Sequence, residues 1–157
     1  MLAVFGSIWH RNRLSLLNIM GTIALNIHKN LTVYFNGEFL PWDEALVHVF
    51  SPAVKYGAGV FEGICAYMSK KGMNIFRLEE HLARLEYSQR MMRFERIFTK
   101  EEVAEPLKEL VRRNKFKETV HIRPTVYVDG LGEPSALGPI GISITAVHRP
   151  RPKIRIP

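Results

Sequence analysis

Between residues 31 and 147 the apolar positions recur at two different periods, and the changes of period mark the elements. Thr32-Val33-Tyr34-Phe35, then Asn36-Gly37, then Glu38-Phe39-Leu40 reads as a tight hairpin. Asn-Gly supplies the positive φ that a two-residue turn requires. Ile64 to Met68 predicts a strand, and Lys70-Lys71-Gly72 a turn into a second one, Met73 to Arg77. From Leu78 to Met92 the spacing becomes helical, through Leu78, Leu82, Leu85 and Met92. Glu79 and Glu80 fall in the first turn, where the helix dipole favours acids. A second helix opens at Thr99, with Glu102 completing a capping box and Val103, Leu107, Leu110 and Val111 as its apolar face. Pro106 inside it is expected to remove a hydrogen bond and kink the helix.

Thr119 to Val128 returns to period two. Val120, Ile122, Val126 and Val128 share one face, and His121, Arg123, Thr125 and Tyr127 the other. Pro124 points to an edge strand or a bulge there. A Gly- and Pro-rich loop, 129–139, leads to a last strand, Ile140 to Val147. The elements predict an α/β (α+β) domain: a small mixed, largely antiparallel sheet with two helices packed on it.

Three segments follow. Residues 1–29 lack acids and mix short apolar runs with Arg11 and Arg13, as an N-terminal extension or a leader would. Residues 30–147 form the α/β domain. Residues 148–157 are basic and Pro-rich and read as an extended tail, the end of a truncated chain. Neither apolar run of the first segment reaches membrane-spanning length.

The 157 residues hold one ordinary domain with a real core. The net charge of +7 suggests nucleic acid only until it is located. Arg11, Arg13 and Lys29 near one end, with Arg149, Arg151, Lys153 and Arg155 near the other, account for all of it. Residues 30–147 are therefore balanced, whereas a nucleic-acid domain carries its basic footprint on a folded face. The single cysteine, Cys65, excludes an internal disulfide and a multi-cysteine zinc site, and fits a reducing, cytoplasmic compartment. A leader role for residues 1–29 would instead direct the chain to an organelle. The six histidines show no metal-ligand spacing.

The chemistry concentrates in Tyr56-Gly57-Ala58-Gly59-Val60-Phe61-Glu62-Gly63. Glu62 stands where a dinucleotide fingerprint needs its third glycine, and no crossover helix opens there, so that reading fails. What remains is a glycine-rich turn before a strand, or a backbone that approaches a ligand beside Tyr56 and Phe61. His81, Arg84 and Ser88 make a polar stripe along the first helix. Arg84 there is either part of a solvated face or a planar fork for phosphate. Arg123 shares a strand face with His121, which is either a polar outer sheet face or the wall of a cavity.

Taken together, Tyr34-Phe35-Asn36-Gly37, Pro41-Trp42-Asp43-Glu44-Ala45, Val47-His48-Val49, Tyr56-Gly57, Val60-Phe61-Glu62-Gly63, Phe76-Arg77-Leu78 with His81 and Arg84-Leu85, and Ile122-Arg123-Pro124 resemble the N-terminal domain of the class IV (fold-type IV) pyridoxal-phosphate aminotransferases. The likeness is greatest to the branched-chain amino acid aminotransferases. It implies reversible amino transfer between leucine, isoleucine or valine and 2-oxoglutarate, with pyridoxal 5'-phosphate as cofactor and a homodimer or higher homo-oligomer as the assembly. Arg84 would hold the cofactor phosphate. Tyr56, Phe61, Gly63 and His121 would line the substrate pocket, and Arg123 would bind the distal carboxylate of glutamate. Cys65 and His121 depart from the arginine and tyrosine usual at those positions. The family's Schiff-base lysine lies well beyond the Ile-Arg-Pro motif, and 34 residues follow Arg123 here, so the chain is expected to stop before it. Lys55 and Lys153 are poor substitutes. Two other readings stay open, a non-catalytic α/β binding or assembly module built on this fold and another class IV enzyme such as a D-amino acid aminotransferase.

Overall fold

The computed structural model describes residues 30–70 and 72–149. The expectations for residues 1–29, and for the tail beyond residue 149, lie outside the described residues. The described residues from Thr32 to Arg149 belong to one unit, in which seven strands form a single sheet. Strands β1 (Thr32–Phe35) and β2 (Glu38–Pro41) are the expected hairpin, turning at Asn36 (φ 48°) and Gly37 (φ 105°). A single helical turn, α1 (Pro52–Tyr56), follows, capped by the Ser51 side chain and closed by Gly57 in the left-handed region at φ 68°. Next come β3 (Gly59–Phe61), β4 (Ile64–Ser69) and β5 (Gly72–Ile75). Helices α2 (Leu78–Met91) and α3 (Lys100–Asn114) precede the two long strands β6 (Val120–Val128) and β7 (Ile140–His148).

The strand order is β2-β1-β7-β6-β4-β5, with β3 also on β6, and every pair is antiparallel. Ile64, Ala66, Val120, Ile122, Val126, Val128, Ile142, Ile144 and Ala146 are buried on one sheet face. They form one core with Leu82 and Leu85 of α2 and Val103, Leu107 and Leu110 of α3. The period-two pattern read in the sequence is therefore the division between a covered face and an open one, except at Tyr127, which is buried although it lies on the side of His121 and Arg123.

Both helices begin as expected, and the Thr99–Glu102 capping box is present in full. α3 runs unbroken through Pro106. Pro106 lacks only the bond to the Glu102 carbonyl, at the end of the first turn, and the rest of the ladder continues beyond it.

Pro124 requires a correction. It lies in neither an edge strand nor a bulge, because β6 is central, flanked by β7 on one side and by β3 and β4 on the other. The register along β6 is continuous from Gly59↔Tyr127 to Ala66↔Val120, so no residue is inserted. Glu62 N–H donates to the Pro124 carbonyl at 3.0 Å. The reciprocal bond would need an N–H that proline does not have. The sheet absorbs the missing donor as an interruption at Glu62-Gly63, between β3 and β4.

Candidate functional site

That interruption is the centre of the site. Along β3 and β4 the even positions, Val60, Glu62, Ile64 and Ala66, face the helices, and the odd positions, Phe61, Gly63 and Cys65, face the open side. Glu62 is thus an acid at a core-facing position, with only 3% of its side chain exposed. A buried carboxylate needs partners, and α2 supplies two. Arg84 donates through Nε to Glu62 Oε1 at 2.5 Å and through Nη2 to Oε2 at 2.6 Å, a two-pronged pair. His81 Nδ1 lies 2.9 Å from Oε2. An ionised carboxylate only accepts, so Nδ1 carries the proton of that bond. Burial pushes the Glu62 carboxyl up, but the hydrogen bonds and charges of Arg84 and His81 outweigh it and hold the carboxyl below its ordinary value.

Arg84 is not consumed by this pair. Its side chain is 65% exposed, and both Nη1 donors and the outer Nη2 donor remain available. It borders an open cavity of about 400 Å³ lined by Phe76, Arg77, Glu80, His81 and Arg84. Arg77 at its rim is paired with Glu80 at 3.0 Å.

The open face collects four of the residues singled out in the sequence. Phe61 is exposed on β3, and the Arg123 guanidinium lies over its ring, 4.8 Å from the centroid. Gly63 passes under His121. A Cβ there would meet His121 Nε2 at 3.1 Å, so a side chain at this position would push the imidazole aside by a few tenths of an ångström. His121 is held below its ordinary pKa by burial, then by the charges of Arg123 and Arg149, and is neutral at pH 7. Cys65 is paired in register with His121. Arg123 is therefore the cation of this face near Phe61, and the ring and the guanidinium offer an apolar wall beside an anion-binding fork.

Tyr56 lies outside that group. It ends α1 and is exposed, with the Lys55 ammonium 4.8 Å from its ring. The Tyr56 side chain raises the Lys55 pKa, which keeps the amine protonated and unsuited to attack a carbonyl. Arg84 also sits apart from the four, on the helix side of the strand that carries Phe61 and Gly63. The link between the two sides is Glu62, which the sequence reading passed over. Its signal was present, since Val60, Glu62, Ile64 and Ala66 alternate and Glu62 is the polar residue of an otherwise apolar phase.

No group of three metal-ligating side chains and no membrane-length apolar helix occurs among the described residues.

Comparison with known proteins identifies the family. The amino-transferase class IV family matches residues 59–156. The match takes in most of residues 148–157. A branched-chain-amino-acid aminotransferase of Salmonella typhimurium is 41% identical over 100 residues, covering 64% of this chain and 32% of the relative. A crystal structure of a branched-chain aminotransferase from the archaeon Thermoproteus uzoniensis, with norvaline, superposes with a TM-score of 0.70 at 34% identity. It covers 74% of this chain and 40% of that one. The branched-chain amino acid aminotransferase of Thermobaculum terrenum in its PLP-form gives a TM-score of 0.63 at 34% identity, over 74% of this chain and 39% of that one. The chain thus spans about a third of the curated relative's length.

Proposed function

The chain belongs to the amino-transferase class IV family, and on that premise we propose that it is the cofactor- and substrate-holding N-terminal domain of a pyridoxal-phosphate-dependent branched-chain-amino-acid aminotransferase. The observation that carries this reading is the arrangement around Glu62-Gly63. A phosphate-capable arginine lies on one side of a single strand, and an aromatic wall with a second arginine on the other.

The residues present suit the cofactor. Arg84 keeps donors free for a phosphate monoester beside a cavity with room for one. When bound, pyridoxal 5'-phosphate supplies an electron sink for the negative charge left at the amino acid's α-carbon.

The open face explains how one site would accept two unlike substrates. An aliphatic side chain packs on the exposed Phe61 ring and excludes water from it. The distal carboxylate of glutamate or 2-oxoglutarate takes the Arg123 guanidinium, which lies against the same ring. His121, being neutral, neither competes for that carboxylate nor repels Arg123.

The protein works as a homo-oligomer in a cytoplasmic setting. The exposed apolar residues Leu46, Val49, Phe50, Val54 and Tyr56 support the first part, and the single cysteine supports the second.

Calorimetric titration of the purified chain tests the reading. Arg84→Ala is expected to lose pyridoxal 5'-phosphate binding while keeping 2-oxoglutarate, and Arg123→Ala the reverse. The reading fails if both variants bind both ligands as the unaltered chain does.

A further inference from the structure

Of the features around the site, the burial of Glu62 is the one that the proposed chemistry leaves unexplained. A salt bridge that served stability alone would gain little here. Its arginine is largely in water, and a buried carboxylate could be replaced by an apolar side chain of similar volume at small cost. The orientation of the pair does have a consequence. Glu62 occupies the Nε–Nη2 edge of Arg84 and also holds His81, which stands one helical turn earlier on α2. An exposed arginine ordinarily samples many rotamers, and a ligand that binds it must order them.

We infer that Glu62 is a positioning residue for anion binding. Its buried carboxylate locks one edge of the Arg84 guanidinium, so that the opposite edge is fixed toward a phosphate monoester in the cavity beside His81 and Arg77. The inference rests on the reading of Arg84 as the phosphate-holding residue and adds how its aim is set. Glu62 is itself tied to the sheet by its N–H bond to the Pro124 carbonyl. The aim of Arg84 is thereby referred to β6, the strand that also carries Arg123. Moving the carboxylate would leave the charge of Arg84 in place and remove its direction. The loss expected is the tenfold to hundredfold typical of removing an outer partner that orients a ligating group, about 10- to 100-fold in affinity.

The test is nitrogen-15 NMR of the arginine side chains in the full chain, titrated with inorganic phosphate and then with pyridoxal 5'-phosphate. The Arg84 Nε–H signal of the unaltered chain is expected to be protected from exchange and to shift saturably with either ligand. In Glu62→Gln the protection should vanish, and phosphate affinity should drop at least tenfold while the melting curve stays cooperative. Arg84→Lys, which keeps the charge but cannot be gripped at two points, should lose as much. If Glu62→Gln binds phosphate as tightly as the unaltered chain, the positioning role is overturned and the phosphate role of Arg84 stands. If Arg84→Ala also binds undiminished, the phosphate role falls with it. Should Glu62→Gln fail to fold, Arg84→Lys decides, and full retention of affinity there overturns the inference.

Discussion

Two buried polar side chains do more for this site than their small number suggests. Gln89 of α2 is fully buried, accepting from Phe98 N–H at 2.8 Å and donating to the Phe98 carbonyl at 3.0 Å and the Leu85 carbonyl at 3.2 Å. It ties the end of the helix that carries Arg84 to the segment leading into α3. Gln89→Leu fits the volume but strands the Phe98 backbone groups, and is expected to cost about 2–3 kcal/mol, read as a lower urea midpoint at unchanged slope. Glu62 gives a pH signature. Its carboxyl titrates lower in the folded chain than in the unfolded one. Between the two values the unfolded state binds more protons, so stability rises with pH there. The contribution is complete above the ordinary glutamate range and is lost as pH falls through the depressed folded value. Acid melts should show this loss, and Glu62→Gln should flatten it. Arg84 and Arg123 were visible in the sequence because residue type and phase expose them. Glu62 was not, because a lone acid in an apolar phase declares a partner without naming it, and that partner lies 22 residues away.

At the scale of elements, period and capping were legible and irregular backbone was not. The hairpin, both longer helices and the faces of β6 followed from local chemistry, namely Asn-Gly, the Thr99 box and alternation. The single turn α1 and the short β3 were missed, since five and three residues are too few to display a period. Gly59 was read with the bend. Instead it sits in β3, where a Cβ would press on Tyr127 Cβ at 3.2 Å and the Val126 carbonyl at 3.3 Å, so the close approach of β3 to β6 disfavours a side chain there. Pro124 was misjudged because the rule confining proline to edges assumes an unbroken neighbour. Here the neighbour is interrupted opposite it. Pro124→Val should restore the missing donor and let β3 and β4 join. Hydrogen exchange would show this as a slow amide at residue 124, whereas a fast amide would mean that the break has another cause. Thr99→Ala removes one half of the capping box and should lower stability by about 1 kcal/mol, measurable by denaturant titration.

At the scale of the whole molecule, the two faces of the sheet have different fates. The face under α2 and α3 is closed by this chain's own helices. The open face carries the Phe61–Arg123 pair, and the segment before β3 adds Leu46, Val49, Phe50 and Val54, more than half exposed in each case. Large apolar side chains this close in sequence seldom remain in water, since each forgoes about 1.5–3 kcal/mol of burial. A second copy that covers them would shield the neighbourhood of Phe61, where the aliphatic substrate proposed above would gain from the exclusion of water. Assembly and ligand binding are then thermodynamically linked: whichever is favoured strengthens the other. Light scattering should give a mass above that of one chain, and Phe50→Asp should reduce it toward 18.1 kDa. In the same variant, affinity for 2-oxoglutarate should fall although Phe50 is not assigned to hold it. A monomer that binds 2-oxoglutarate as tightly as the unaltered chain would separate the two processes and leave the apolar segment to some other partner.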